Sequence, residues 1–159
     1  MNLQTYTATL RAPRDTVFNF LANIENLPRW ATSFCEHIYI EGGRWKGLTV
    51  QGESWLELDA CGAKGVVILR AGTSHDRLAP LPMLVLAIGE ERTLVVVTIP
   101  SAAGAPTGIL RRDAEGMAED LRRLAKRFGG DVHLPAREPE PIEAAEEEAE
   151  VCGSTQFFI

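Results

Sequence analysis

The sequence predicts an α+β domain in which a run of antiparallel strands closes on one long C-terminal helix. Three observations predict it: a single long amphipathic helical stretch, several strand-like stretches before it, and two short helical segments after the first strand. A chain of 159 residues is long enough to bury a sizeable core in one domain. We therefore expect the strands and the long helix to share one core.

The long helix is predicted over Asp113–Phe128. Acidic residues come first and basic residues last in this stretch, which suits the helix dipole. We expect Asp113 to cap the N-terminus, and Gly129-Gly130 to end the helix because glycine adopts a left-handed conformation without steric cost. The apolar side chains recur at helical spacing and form one stripe, made of Met117, Leu121, Leu124 and Phe128.

Before this helix, the chain opens with a strand and two short helical segments. Gln4–Leu10 alternates apolar and polar residues, as a half-buried strand does. Pro13–Ala22 is predicted as a short helix, because proline is tolerated in a first turn, where its missing N–H costs nothing. Ile24–Trp30 is predicted as a second helical turn, whose length Pro28 limits.

The middle of the chain predicts antiparallel strands. Ser33–Glu41 alternates, and Arg44–Asp59 is extended, with glycines that indicate bends. Val66–Arg70 is predicted as a strand, whereas the two prolines of Thr73–Pro82 predict a loop. Two continuous apolar runs then predict a hairpin of well-buried strands, Met83–Ile88 and Thr93–Ile99.

The acidic charge of the chain is concentrated at its C-terminal end. Residues 129–159 hold eight acidic residues and one arginine, whereas the rest of the chain is close to neutral. Because this Pro/Glu/Ala-rich segment buries little apolar area, we predict a folded domain over residues 1–128 and a disordered acidic tail over 129–159. Neither part has a clustered basic face, which argues against nucleic acid as a partner.

Cysteine usage and hydropathy indicate the compartment. Cys35, Cys61 and Cys152 are widely spaced, which argues against a disulfide framework and indicates a reducing environment. No apolar run reaches the roughly 18–20 residues that span a bilayer, and the N-terminus has no basic region followed by an apolar one. We therefore expect a cytoplasmic protein without a transmembrane segment.

The first thirty residues carry a recognisable pattern. The first strand runs into Ala12-Pro13, followed by Val17-Phe18, Phe20-Leu21, Asn26-Leu27-Pro28 and Trp30. This pattern resembles the opening of the START-like superfamily (SRPBCC), which includes polyketide cyclase/dehydrase-like and birch-pollen-allergen-like proteins. The order of the predicted elements is similar to that superfamily over most of the predicted domain.

The resemblance implies a helix-grip fold, in which a curved antiparallel sheet of about six to seven strands wraps round the long helix. It also implies a cavity between sheet and helix that holds an apolar or amphipathic small molecule. The acidic tail and the glycine-rich stretch Gly42–Gly52 depart from the family's pattern. The residues that the resemblance places around the cavity are Trp30, Phe34, Trp55, Val95, Met117, Leu121 and Leu124.

The same resemblance implies a ligand-binding function. We expect binding or carriage of a hydrophobic molecule such as a lipid, a quinone or a polyketide-like ring, without catalysis. One alternative is a cofactor-independent cyclase or aromatase. Another is an interaction module that recruits a protein partner through the acidic tail and its apolar end, Phe157-Phe158-Ile159. A monomer and a homodimer are both compatible with the sequence.

Two sets of residues are candidates for chemistry. Glu57 and Glu36 are the catalytic candidates, because a carboxylate that points into an apolar cavity can act as a general acid or base. Cys35 and His37 lie two apart on one predicted strand and would share a face, so a third ligand such as His75 would make a metal site. No metal-binding or nucleotide-binding motif accompanies them, and we predict no metal and no cofactor.

Overall fold

The computed structural model describes residues 3–100 and 107–135, and it describes side chains for residues 3–99 and 115–135. The first strand, β1 (Leu3–Leu10), leads into helix α1 (Arg14–Leu21). A 3₁₀ turn (Ile24–Asn26) and the short helix α2 (Leu27–Trp30) follow. These elements confirm the strand and the two short helical segments predicted for the opening of the chain.

The strands form one open antiparallel sheet of eight strands, in the order β2-β3-β4-β5-β6-β7-β1-β8. The α+β class is therefore confirmed, with more strands than the six to seven predicted. The strands after β1 are β2 (Cys35–Glu41), β3 (Arg44–Thr49), β4 (Gly52–Cys61), β5 (Val66–Gly72), β6 (Ala79–Gly89), β7 (Arg92–Pro100) and β8 (Gly130–His133).

Two stretches account for the larger sheet. The predicted extended stretch Arg44–Asp59 is a hairpin, in which β3 and β4 pair with Thr49 opposite Gly52. The second is β8, which comes from the first residues of the predicted tail and pairs with Thr7–Leu10 of β1. The sheet therefore extends past Phe128. The rest of the predicted tail, residues 136–159, lies outside the described residues.

Helix α3 (Thr107–Phe128) is the long helix, and it begins earlier than predicted. Asp113 consequently lies within the helix, and its predicted role as the N-terminal cap is wrong. The end of the helix is confirmed, because the chain leaves it at Gly129 with a φ of 76°. No described helix is long and apolar enough to cross a membrane.

Strand β6 includes residues that the sequence predicted as a loop. Ala79–Pro82 pairs with β5, whereas the pairing of β6 with β7 begins only at Met83. Among the described strands, this end of β6 therefore has one hydrogen-bonded neighbour instead of two. Proline lacks an N–H, so it is tolerated at a strand edge of this kind. The two prolines restrict which side of the strand pairs, and they do not prevent the strand.

The sheet has an inner face, which carries the core, and an outer face. Alternate residues of β1, β5, β6 and β7 are buried on the inner face, and their neighbours point outward. The apolar runs predicted to be well buried form the predicted hairpin, but Leu86 and Ile88 remain 38% and 49% exposed. The buried inner-face residues of these four strands are Tyr6, Ala8, Leu10, Val67, Leu69, Met83, Val85, Thr93, Val95, Val97 and Ile99.

Candidate functional site

Helix α3 and the inner face of the sheet enclose one apolar interior. Met117, Leu121 and Leu124 on the helix stripe are buried in the same cluster as Val95 on β7. The last stripe residue, Phe128, is half-buried and packs edge-to-face on Phe20 of α1, with ring centroids 5.4 Å apart. The structure thus brings together four of the residues that the resemblance placed around the ligand. Their contact with a ligand stays a prediction.

Two aromatic residues predicted for the site lie beside this cluster. Trp30, at the end of α2, is 2% exposed and forms part of the core. Phe34, between α2 and β2, is half-buried and packs against the same core. Both residues come from the segment that joins the helices to β2 at the edge of the sheet.

Trp55 lies on the outer face of the sheet, and its predicted place in the cavity is wrong. Its neighbour Leu56 is buried on the inner face, and successive side chains of a strand point to opposite faces. The indole instead packs against Arg44 and Lys46, whose charged groups lie 4.9 and 4.4 Å from the ring centroid. Both Trp55 and Leu56 are apolar, so the sequence alone does not determine which of them faces inward.

The two catalytic candidates are also outside the interior. Glu57 follows Trp55 by two residues, shares its outer face, and is paired with Arg44 at 3.4 Å. Glu36 is exposed near the start of β2. A general acid or base for a ligand in the interior must reach that ligand. Acid/base catalysis would require either glutamate to point into the interior, and the structure places both outside it.

A β-bulge separates Cys35 from His37. The register between β2 and β3 shifts between these two residues, so they do not share a face as their spacing suggested. The Cys35 thiol is buried and donates to the His37 carbonyl oxygen at 3.3 Å, whereas the His37 ring is exposed and stacks on Tyr39. His75 lies beside Trp55. Burial raises the pKa of Cys35, which favours the neutral thiol.

The metal hypothesis has no support in the described part of the chain. Cys35, His37 and His75 do not come together, as the bulge and the position of Trp55 show. Among the described residues, no group of three or more His, Cys, Asp or Glu side chains has a geometry that could hold a metal ion.

Asp120 is a buried carboxylate that the sequence analysis did not single out. It lies on α3 and is 1% exposed. Its Oδ1 accepts the backbone N–H of Ser33 at 2.8 Å and a bond from the Arg123 guanidinium at 2.5 Å. Arg123 also donates to the Ser33 hydroxyl at 3.1 Å. This network ties the segment between α2 and β2 to the long helix. The sequence did contain a sign of this burial, because Asp120 comes three residues after Met117 and so lies on the apolar stripe.

Tyr6 is the second polar residue that sequence reasoning did not assign to the site. It lies on β1 with its side chain on the inner face, opposite Val97, and is 3% exposed. Burial raises the pKa of its phenol. Its hydroxyl has no hydrogen-bond partner among the described residues, in contrast to Asp120. The sequence did indicate that Tyr6 is buried, because Tyr6 lies with Ala8 and Leu10 on the apolar side of the first strand.

The fold is shared with solved structures. Aha1 from Colwellia psychrerythraea, a dimer in solution, aligns with a TM-score of 0.61 over 80% of this chain and 96% of its own, at 14% identity. Zhui aromatase/cyclase from Streptomyces sp. R1128 aligns at 0.58 over 80% and 93%, at 19% identity. A START superfamily protein from Mycobacterium smegmatis aligns at 0.57 over 79% and 96%, at 14% identity.

The chain has a START-like fold. No protein-family model and no curated protein sequence matches it. The resemblance seen in the first thirty residues is confirmed at the level of the fold, and the helix-grip arrangement of sheet and long helix is the feature shared with these structures. Identities of 14–19% show the fold and leave the ligand to be inferred from the residues of this chain.

Proposed function

We propose that the protein binds or carries an apolar small molecule between α3 and the inner face of its sheet. The observation that carries this proposal is the apolar interior, where Leu121, Leu124 and Val95 are buried in one cluster between helix and sheet of a START-like fold. The aromatic side chain of Trp30 belongs to the same cluster, and that of Phe34 packs against it. Sites for small molecules are typically lined in this way, with few polar groups.

Burial of ligand surface supplies the driving force. A ligand that loses roughly 300 Å² of apolar surface gains on the order of 7 kcal/mol at about 25 cal/mol per Å². Losses of translational and rotational freedom reduce this gain. Because a dissociation constant of 1 μM needs about 8 kcal/mol, we expect weaker than micromolar affinities for a ligand of two or three fused rings or a comparable chain.

Carriage is favoured over catalysis by the positions of the two glutamates that were the catalytic candidates. The cyclase alternative drew on Glu57 and Glu36, and both are exposed outside the interior. The similarity to an aromatase/cyclase concerns the fold and brings no catalytic group with it. Recruitment of a protein partner through Phe157-Phe158-Ile159 stays a separate prediction, since these residues lie outside the described part of the chain.

Filling the interior tests the proposal. Leu121→Trp adds a large side chain at a fully buried position on α3 and should weaken binding of 2-ethylnaphthalene about tenfold or more in equilibrium dialysis. Arg122→Trp is the matched control, because it adds the same side chain one residue away at an exposed position. Circular dichroism and thermal unfolding verify that both variants fold. Equal binding by wild type and both folded variants would contradict the proposed site.

A further inference from the structure

The interior contains few polar side chains, and most of them already have partners. The Thr93 hydroxyl donates to the Ala12 carbonyl oxygen at 2.7 Å, and the Ser54 hydroxyl lies 2.9 Å from that of Thr49. Asp120 is bonded to Ser33 and Arg123. Buried polar groups in folded proteins are nearly always satisfied in this way. Among the described buried side chains, two polar groups have no hydrogen-bond partner, the Tyr6 hydroxyl on the sheet and the Trp30 indole N–H.

The surroundings of Tyr6 are aliphatic. Its register partner on β7 is Val97, whose own partner on β6 is Met83, so the neighbouring inner-face residues in this row are apolar. All three residues are buried. A phenol hydroxyl enclosed among such side chains loses its bonds to water, and leaving it unpaired costs free energy. A ligand in this interior can supply the missing acceptor.

We infer that the Tyr6 hydroxyl is the polar anchor of the interior site, and that it donates a hydrogen bond to an oxygen of an uncharged, mostly apolar ligand such as a ketone, quinone or ester. This inference rests on the proposed function and narrows it to a ligand class. The phenol is neutral and retains its proton, so it can donate to a carbonyl or ether oxygen.

The charges around the interior explain why the ligand is uncharged. Of the described residues, Asp120 is the one buried charged side chain, and its partner Arg123 is already engaged with it. An anionic ligand would find no free buried cation in this part of the chain, and it would approach the carboxylate of Asp120. Burying an unpaired charge is far more costly than burying a paired carbonyl.

Three naphthalene probes of similar shape test the inference. 2-Acetylnaphthalene offers a ketone oxygen, 2-ethylnaphthalene does not, and 2-naphthoate adds a negative charge. We expect the wild type to bind the ketone about fivefold more tightly than the hydrocarbon, after correction for their water-to-octanol partition, and to bind naphthoate most weakly. Tyr6→Phe should abolish the preference for the ketone, because the affinity for 2-acetylnaphthalene falls to that for 2-ethylnaphthalene.

The other tyrosine of the chain provides a matched control. Tyr39→Phe removes the same hydroxyl on the outer face, where that hydroxyl bonds to Glu53, and it should keep the preference for the ketone. A preference that survives in Tyr6→Phe, or tightest binding of naphthoate, would overturn the inference while the proposed function stands. If the wild type binds neither uncharged probe, the proposed function itself fails, and the two failures are therefore distinguishable.

Discussion

Asp120 differs from the other acidic residues of α3 in being buried, and this changes its titration. Burial raises the pKa of its carboxyl above the ordinary value of 3.8, although the bonds from Ser33 and Arg123 act in the opposite direction. The folded protein therefore keeps this proton at a pH where the unfolded chain has released it. Folding stability from this group is present at low pH and is lost as pH rises through the raised pKa.

We predict that Asp120→Asn removes this pH dependence. Asparagine keeps an acceptor for the Ser33 N–H but does not titrate. The difference to follow is the free energy of unfolding of the wild type minus that of the variant. It should fall as pH rises from about 3.8, and the total fall should be roughly 1.4 kcal/mol for each unit by which the pKa of Asp120 is raised. Urea unfolding at a series of pH values measures this difference.

Glu119→Gln serves as the control for that series. Glu119 precedes Asp120 and accepts a hydrogen bond from the Ser33 hydroxyl, but it is exposed. Exposed charges contribute little to stability. We therefore expect the free energy of unfolding of the wild type minus that of Glu119→Gln to change little over the same pH range. A wild-type minus Asp120→Asn difference that rises with pH would show that the bonds from Ser33 and Arg123 outweigh burial.

Glu57→Gln tests the placement of Trp55 and its neighbours on the outer face. Glu57 is half exposed and, among the described residues, pairs with Arg44 alone, so the change should alter the free energy of unfolding by no more than about 0.5 kcal/mol. Binding of 2-ethylnaphthalene should be unchanged in equilibrium dialysis. A marked loss of binding would place this glutamate in the site and restore it as a catalytic candidate.

At the scale of elements, the stripe of α3 is the principal contact between helix and sheet. Leu124 is fully buried, so Leu124→Ala removes apolar contacts and leaves a space in the core. We expect the free energy of unfolding to fall by about 2–5 kcal/mol. Arg122→Ala, on the exposed side of the same helix, should change it by about 0.5 kcal/mol or less. Urea titrations of the two variants measure both values.

Strand β8 depends on the glycine at its first position. A Cβ on Gly130 would collide with the Thr9 carbonyl oxygen of β1, whereas a Cβ on Gly129 would meet only the Arg11 side chain at 3.7 Å. Gly130→Ala should therefore lower the free energy of unfolding by about 1–3 kcal/mol more than Gly129→Ala does, although both glycines have positive φ. It should also raise hydrogen exchange of the Asp131–His133 amides. Equal exchange in the two variants would mean that β8 adjusts without losing its pairing.

The sequence predicted these elements unevenly, for physical reasons. The stripe of α3 is periodic over several turns, and its register fixes which side chains face the sheet. In β4, two adjacent apolar residues compete for the inner face, and the pairing with β3 decides in favour of Leu56 over Trp55. The bulge after Cys35 and the one-sided pairing of Ala79–Pro82 likewise arise from neighbouring strands. Local composition does not encode such contacts.

At the scale of the whole molecule, the opening pattern and the order of elements were enough to predict a START-like fold. These features reflect packing between β1, the short helices and α3, and packing is what related folds share at low identity. The buried positions of Val95 and Leu121 follow from that packing, and their contact with a ligand stays a prediction. Tyr6 and Asp120 were missed because their importance comes from the burial of polar groups, which only the assembled interior reveals.

The central claim is that this interior holds a small molecule, and native mass spectrometry tests it most directly. The protein would be purified from its own host, measured under native and denaturing conditions, and extracted with organic solvent. We expect an added mass at near-equal stoichiometry that is lost on denaturation, and an extract that contains an uncharged apolar compound with an oxygen acceptor. A native mass equal to that of the bare chain, together with no uptake of 2-acetylnaphthalene or 2-ethylnaphthalene by that protein, would contradict the account.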